Sequence, residues 1–193
     1  MDLFEYAKSR TMENESPLAS RLRPTKLEEV VGQQHIVGKD KLLYRAIKAD
    51  KLTSVIFYGP PGTGKTTLAK VIANTTSADF TQINATVAGK KDMEEVVKQA
   101  QNALGMYGRK TILFIDEIHT LVGAGKGEGA MDAANILKPA LARGTLRTVG
   151  ATTQDEYQKH IEKDAALSRR FAKVTIEEPS VADSIQILQG LKE

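Results

Sequence analysis

The chain has 193 residues, of which 41% are hydrophobic and 26% charged, a composition typical of one globular domain with a sizeable core. It has no cysteine, which excludes disulfides and thiol chemistry, and its three histidines lack the spacing of a zinc site. The net charge of +3 allows contact with nucleic acid but does not argue for it, and no apolar run has the length of a membrane helix. The N-terminus also lacks the apolar core of a signal peptide. We therefore expect a cytoplasmic protein with no membrane partner.

Residues 1–23 form a charged N-terminal arm, for which we predict a flexible segment or a short helix. After this arm, apolar strands and amphipathic helices alternate along the chain. We predict helices over residues 41–49, 68–73, 92–104, 131–142, 155–161 and 181–191, and strands over residues 55–58, 80–83, 111–115, 146–151 and 174–176. Asp92 is the expected cap of its helix, and a glycine-rich loop is expected over residues 123–129. The alternation predicts one α/β domain over residues 24–193, with a five-stranded parallel sheet between helices.

The segment Gly59-Pro60-Pro61-Gly62-Thr63-Gly64-Lys65-Thr66 fits the P-loop pattern G-x-x-x-x-G-K-[ST] without a mismatch. A short apolar strand precedes it, and the helical pattern over residues 68–73 follows it. Thr67, directly after the motif, is a further candidate nucleotide-binding residue. Glycines let backbone N–H groups wrap a phosphate, and the helix dipole favours negative charge at the same place. Lys65 is predicted to reach the β- and γ-phosphates and Thr66 to hold Mg²⁺. The alternative is a glycine-rich turn that happens to carry a lysine.

A second motif follows the apolar strand over residues 111–115, where Asp116 and Glu117 stand together. Because parallel strands end at one edge of a sheet, these acids should lie near the P-loop. Asp116 is predicted to bind Mg²⁺ through water, and Glu117 to act as the general base that polarises the attacking water. Two exposed acids after a core strand are the alternative interpretation.

Two further groups complete a possible hydrolytic site. Thr152-Thr153 follows the strand over residues 146–151, and a hydroxyl there is a candidate sensor of the γ-phosphate. Arg169-Arg170 precedes the last strand and is a candidate pair of arginine fingers that meet the γ-phosphate of a neighbouring subunit. The alternatives are a threonine pair that merely closes a strand and a solvated basic turn.

The motifs GPPGTGKT, LFIDE, GATT and SRRF occur in the order typical of AAA+ ATPases, and the resemblance covers roughly residues 17–193. It implies a P-loop NTPase fold, the large subdomain of an AAA+ protein, that binds ATP or ADP with Mg²⁺ and self-associates into a ring. Carried over to this sequence, it makes Thr153 the polar sensor, and Arg169 and Arg170 the fingers.

The two halves of the chain resemble different subfamilies. Residues 1 to about 119 resemble replication-associated recombination ATPases, relatives of clamp loaders, through PLASRLRPTKLEEVVGQQHIVG and SVIFYGPPGTGKTTLAKVIAN. This resemblance places Val30, Val31 and Gly32 against adenine. Residues from about 113 onward resemble the first ATPase domain of Clp-type chaperones, through HTLVGAGKGEGAMDAANILKPALARGTLRTVGATT and EEPSVADSIQILQGLKE. We interpret the chain as an engineered chimera joined near Leu113–His119, with a divergent natural protein as the alternative.

Departures from both subfamilies narrow the expected function. The segment 84–91, NATVAGKK, has no aromatic residue where Clp chaperones carry their polypeptide-gripping pore loop. Residues 180–193 resemble the start of a helical lid, and the lid's sensor arginine is missing. We therefore expect a nucleotide-binding core with weak or no hydrolysis on its own, for which a DNA or polypeptide substrate is doubtful. The alternatives are an active ring motor acting on DNA or unfolded protein and a non-enzymatic scaffold built to test fragment recombination.

Overall fold

A five-stranded parallel sheet organises the computed structural model, which describes residues 23–123, 136, 139–140, 144 and 146–190. The strands are β1 (Val55–Tyr58), β2 (Asp79–Asn84), β3 (Thr111–Asp116), β4 (Leu146–Thr152) and β5 (Ala172–Thr175). Their order across the sheet is β2-β3-β4-β1-β5, and every pair is parallel. The predicted fold class is confirmed.

Helices connect and cover these strands. In chain order they are α1 (Gln34–Val37), α2 (Leu42–Lys48), α3 (Lys65–Thr76), α4 (Lys90–Tyr107), α5 (His119–Gly123), α6 (Gln154–Glu156), α7 (Ala165–Ser168) and α8 (Val181–Gly190). A short 3₁₀ turn spans Leu27–Glu29, and a π-turn over Tyr157–Ile161 continues α6. Among the helices of the described ranges, none combines the length and apolar character needed to cross a membrane.

The core lies on both faces of the sheet, which is why its strands are nearly continuous apolar runs. On one face, Phe57 and Phe114 are fully buried with Val71 and Ile72 of α3. On the other face, the strands pack against α4, α5 and the π-turn through another buried set: Ile56, Leu113, Ile115, Met93, Ile118 and Ile161. The two layers hold the carboxyl ends of all strands at one edge, which is the edge at which the site lies.

Several boundaries differ from the sequence prediction. Helix α4 begins at Lys90 instead of Asp92, whose carboxylate lies in the first turn and accepts a 2.7 Å hydrogen bond from the Gly89 N–H. The helix predicted over residues 155–161 is a short α-turn followed by the π-turn, in which Tyr157 stacks on Tyr58 at 4.3 Å. Helix α5 was not predicted, because its five residues are too few to show a periodicity.

Other predictions lie wholly or largely outside the described residues. These are the N-terminal arm except Arg23, the glycine-rich loop after Gly123, and most of the helix over residues 131–142, of which Ile136, Pro139 and Ala140 are helical.

Candidate functional site

A cleft of about 510 Å³ opens at the carboxyl edge of the sheet, beside the segment between β1 and α3. It brings together residues from the P-loop, from the end of β3 and from the end of β4, which the sequence analysis assigned to one site. The predicted site residues that line it are Pro61, Gly62, Gly64, Lys65, Thr66, Thr67, Asp116, Glu117 and Thr153. Because β4 lies between β1 and β3 in the sheet, its end faces both the P-loop and the acids.

The P-loop has a backbone that only glycine tolerates at key positions. Gly62 and Gly64 have positive φ values of 77° and 87°, and Gly64 precedes the first turn of α3. A Cβ on Gly59 would lie 2.0 Å from the carbonyl oxygen of Ile176, so the loop passes directly against the end of β5. The Gly59 N–H also donates to the Thr152 carbonyl at 3.3 Å, which joins the loop to β4. The loop is therefore held between two strands before any ligand binds.

Lys65 lies at the start of α3 with its ammonium turned into the loop. It donates to the carbonyl of Gly59 at 2.9 Å and to that of Pro60, and it lies 3.4 Å from the hydroxyl of Thr63. Burial lowers the pKa of Lys65, and the nearby carboxylates of Asp116 and Glu117 oppose that shift. A partly desolvated cation at a helix N-terminus is an environment that favours an anionic ligand.

The oxygen ligands near Lys65 fit a magnesium ion carried by phosphates. Thr66 offers a hydroxyl and Asp116 a carboxylate at the cleft wall. No cluster of three or more His, Cys, Asp or Glu side chains with metal-binding geometry occurs within the described part of the chain. Mg²⁺ is usually bound through one or two protein oxygens, with phosphates and water filling the remaining positions. The residues present therefore suit Mg²⁺ that arrives with a nucleotide.

Glu117 adopts an unusual backbone conformation at the end of β3, with φ of 55°. Its side chain is 40% exposed, and its Oε2 lies 3.4 Å from Nδ1 of His119. The same Nδ1 lies 2.9 Å from the hydroxyl oxygen of Thr152. His119 and Thr152 were not predicted as site partners. Thr152 was half of the predicted threonine pair, whereas no sequence signal pairs His119 with a residue 33 positions away.

Thr153 lines the cleft and also caps helix α6. Its hydroxyl oxygen accepts a hydrogen bond from the Glu156 N–H at 3.3 Å. This contact uses an acceptor position of the hydroxyl, and the hydroxyl proton can still be donated to a phosphate oxygen. The cap is a structural role that was not predicted, and the sensor role stays a prediction.

The predicted adenine segment and the arginine pair do not line the cleft. The residue after the adenine segment, Gln33, donates its side-chain amide to the Glu177 carbonyl at 2.6 Å, and a Cβ on Gly32 would lie 3.5 Å from the Asp183 side chain of α8. Arg169 and Arg170 are exposed and directly precede Phe171 and β5, at the amino edge of the sheet.

Three lining residues were missed by the sequence analysis: Arg23, Lys70 and Gln82. Lys70 lies four positions after Thr66 on α3, so helical spacing alone points it along the same face as the P-loop threonine. Gln82 lies on β2 and Arg23 in the segment before the first turn, and their approach to the cleft depends on the tertiary fold.

The fold and the cleft define a P-loop NTPase domain in which strand β4 separates the P-loop strand β1 from β3, the strand that carries the acids. Residues 55–177 match the model of the ATPase family associated with various cellular activities (AAA). The chain belongs to this AAA family.

Curated relatives include ClpB chaperones. The chaperone protein ClpB of Rhizobium meliloti (strain 1021) is 46% identical over 192 residues, an alignment that covers 91% of this chain and 22% of the relative. ClpB of Bacteroides thetaiotaomicron is 47% identical over 187 residues, covering 89% of this chain and 21% of the relative. The chain thus spans about a fifth of the length of these relatives.

Solved structures of similar fold include the RuvB Holliday junction branch migration motor of Thermotoga maritima, with a TM-score of 0.64 and 26% sequence identity. The match covers 88% of this chain and 53% of the RuvB chain. A variant of the same protein gives a TM-score of 0.66 at 27% identity, with coverage of 88% and 54%. The chain is therefore similar to both Clp chaperones and recombination ATPases. The ClpB and RuvB matches each cover about nine-tenths of it, so each extends across residues 113–119.

Proposed function

We propose that this domain binds ATP or ADP with Mg²⁺ in the cleft and hydrolyses ATP slowly, if at all, as a single copy. The observation that carries the proposal is the partly desolvated Lys65 ammonium at the N-terminus of α3, with Asp116 and Glu117 facing it. When bound, Mg²⁺ would neutralise the charge that develops on the phosphates. Thr66 and Asp116 would hold it, and Glu117 would take the proton of the attacking water.

Slow turnover by a single copy follows from the position of the arginine pair. Arg169 and Arg170 lie at the amino edge of β5, whereas the cleft lies at the carboxyl edge of the sheet. A copy cannot place these side chains on its own γ-phosphate without crossing the strand length, so a neighbouring copy has to supply them. We accordingly propose self-association into a ring as the active form.

Replacing Lys65 tests the binding site directly. We expect Lys65→Ala to weaken ATP binding by at least about 100-fold, because a charge-assisted contact to phosphate is lost. Isothermal titration calorimetry of the purified chain with ATP and Mg²⁺ measures this, with Lys98→Ala as the control because Lys98 is an exposed lysine on α4. Unchanged affinity in Lys65→Ala would show that the P-loop does not bind nucleotide.

Replacing Glu117 separates turnover from binding. We expect Glu117→Gln to bind ATP as tightly as the unmodified chain and to remove whatever phosphate release that chain shows, because the amide cannot accept the water proton. Steady-state phosphate release measured beside calorimetry on the same samples checks both parts. Retained turnover in this variant would assign the base to another residue.

A motor acting on polypeptide is a second candidate, favoured by the identity to ClpB chaperones over most of the chain. The segment 84–91 that corresponds to the expected pore loop exposes Val87, which is 82% accessible, but it has no aromatic residue. The name of the RuvB relatives points instead to a motor on branched DNA. Phosphate release stimulated by unfolded casein and not by a four-way DNA junction would favour the polypeptide motor, and the reverse result would favour DNA.

The chimeric origin is a separate proposal, supported by the two sets of motifs on either side of Leu113–His119. It requires residues 1–112 to be more similar to recombination ATPases and residues 120–193 to Clp chaperones when the halves are compared separately. Equal similarity of both halves to one subfamily would instead make the chain a divergent natural protein.

A further inference from the structure

His119 occupies a position in the site that the P-loop chemistry does not use. Its side chain is only 16% exposed, although it begins a short helix at the end of the acid-bearing strand. Nδ1 lies between two oxygens, 2.9 Å from the hydroxyl of Thr152 and 3.4 Å from Oε2 of Glu117. One ring nitrogen therefore touches the end of β4 and the proposed general base at the same time.

The other ring nitrogen faces helix α6. Nε2 of His119 lies 3.9 Å from Oε2 of Glu156, and the ring stacks on that of His160 with centroids 6.1 Å apart. His160 in turn places its Nε2 3.1 Å from the same Glu156 oxygen, and Lys159 lies 3.6 Å from the other one. Glu156 is thus contacted by Lys159 and by His160, and it gives His119 a second polar neighbour besides Glu117.

Glu117 needs such support because its own backbone does not fix its carboxylate. The residue has φ of 55°, and its side chain is 40% exposed at the wall of the cleft. A general base acts efficiently only when its oxygen lies within hydrogen-bond reach of the water, and a displacement of about 1 Å can cost 100-fold in rate. In the described part of the chain, the Glu117 carboxylate has its side-chain contact with Nδ1 of His119, at 3.4 Å.

We infer that His119 is a positioning residue that holds the carboxylate of Glu117 at the cleft and couples it to the end of β4 and to helix α6. The coupling has a physical route, because Thr153, at the end of β4, caps α6 through the Glu156 N–H, and Glu156 faces His119. A phosphate that forms a hydrogen bond with Thr153 would then change the position of the Glu117 carboxylate through Glu156 and His119. The inference rests on the proposed function, which makes Glu117 the base.

Three substitutions separate the two sides of the imidazole. His119→Asn keeps a polar atom at the position of Nδ1, beside Thr152 and Glu117, but loses the atom that faces Glu156. His119→Gln reaches toward Glu156 but has no polar atom at the Nδ1 position. His119→Phe keeps a ring without either nitrogen. His35→Asn makes the matched change at an exposed histidine that does not line the cleft.

Phosphate release at saturating ATP and Mg²⁺ and high protein concentration is the first readout. We expect kcat to stay unchanged for His35→Asn and to fall about threefold for His119→Asn, which keeps the Nδ1 contact but loses the side that faces Glu156. It should fall at least about tenfold for His119→Gln and His119→Phe, with the dissociation constant for ATP unchanged in all of them. Equal losses in the Asn, Gln and Phe variants would show a purely structural role. Retained kcat in the Gln or Phe variant would show that the Nδ1 contact does not position the base.

The ¹⁵N resonance of His119 Nδ1 in the labelled, nucleotide-free chain is the second readout, and it does not depend on turnover. We expect it to move when Glu117 is changed to Gln and when Thr152 is changed to Val, and to stay in place in His35→Asn. An Nδ1 resonance unaffected by Glu117→Gln would overturn the inference even if ATP binds normally. Conversely, moved resonances without ATP binding would uphold the contact while the proposed function fails.

Discussion

Gly59 is a position where both the backbone conformation and a close neighbouring residue exclude every side chain larger than that of glycine. Its φ is 153°, and a Cβ there would lie 2.0 Å from the backbone oxygen of Ile176 and 3.0 Å from its carbonyl carbon. Because the Ile176 backbone is held by a 2.8 Å hydrogen bond from its N–H to the Tyr58 carbonyl, it cannot move aside as a flexible side chain can. Gly62 has φ of 77° but no atom within 4 Å of its Cβ position, so only its backbone conformation favours glycine.

The two glycines give a matched prediction. We expect Gly59→Ala to lower the free energy of unfolding by about 3 kcal/mol, from strain and collision combined, and Gly62→Ala by about 1 kcal/mol, from strain alone. Urea unfolding followed by circular dichroism measures both values. Equal losses in the two variants would mean that the P-loop can move away from β5 at no cost.

At the scale of elements, the amino edge of the sheet is held by one carboxylate between two cations. Asp50, just after α2, accepts from Arg147 Nη1 of β4 at 2.6 Å, and its backbone carbonyl accepts from Nη2 of the same guanidinium at 2.6 Å. Lys110, just before β3, contacts the other carboxylate oxygen of Asp50. These contacts join three segments at the edge opposite the cleft, so they stabilise the fold without touching the cleft.

This cluster predicts a dependence of stability on pH. The Lys110 ammonium, with a further contribution from Arg147, holds the pKa of Asp50 below its ordinary value. A depressed folded-state pKa stabilises the protein above the unfolded-state value of about 3.9, and the contribution disappears as the pH falls through the folded-state pKa. We expect Asp50→Asn to cost about 1 kcal/mol at pH 7, a modest value because the side chain is 45% exposed. Asparagine tolerates the φ of 51° at this position, so the substitution isolates the charge.

Urea unfolding of the unmodified chain and Asp50→Asn at a series of pH values measures this. The difference between them should be constant near neutrality and should shrink below about pH 4. Asp79→Asn is the control, since Asp79 forms an exposed pair with Arg109 at 3.4 Å and should change stability little. A difference that persists unchanged at low pH would mean that the charge of Asp50 contributes nothing.

The same elements show what the sequence could and could not predict. The parallel sheet, the P-loop strand and helix, and the meeting of Lys65 with Asp116 and Glu117 follow from local patterns and from the rule that parallel strands end together. The contact of His119 with Thr152 and the cluster around Asp50 join residues 33 and 97 positions apart, and local patterns carry no information on such pairs. The π-turn after α6 likewise brings Tyr157 against Tyr58 of β1, 99 positions earlier in the chain, with ring centroids 4.3 Å apart.

At the scale of the whole molecule, the domain separates its nucleotide cleft from its arginine pair by the length of the sheet. Ala172, two residues after Arg170, aligns with Val55 at the start of β1, and the P-loop leaves from the other end of that four-residue strand. At about 3.3 Å per residue the two edges are roughly 13 Å apart. Under the proposed function, with Glu117 as the base at one edge and the exposed arginines at the other, two copies can complete the site and one copy cannot.

Mixing two inactive variants tests this arrangement. Glu117→Gln lacks the base but keeps the arginines, whereas Arg169→Ala combined with Arg170→Ala lacks the arginines but keeps an intact cleft. We expect each variant alone to bind ATP and to release phosphate at least about tenfold more slowly than the unmodified chain, because an arginine finger contributes strongly to turnover.

Mixed at high concentration, the two variants should recover part of the activity, since a Glu117→Gln copy can supply its arginines to the intact cleft of its neighbour. The recovered rate should rise with total protein concentration and be greatest near equal proportions. Activity that is retained by the arginine variant alone, or that never exceeds the sum of the separate variants, would show that Arg169 and Arg170 do not act between copies.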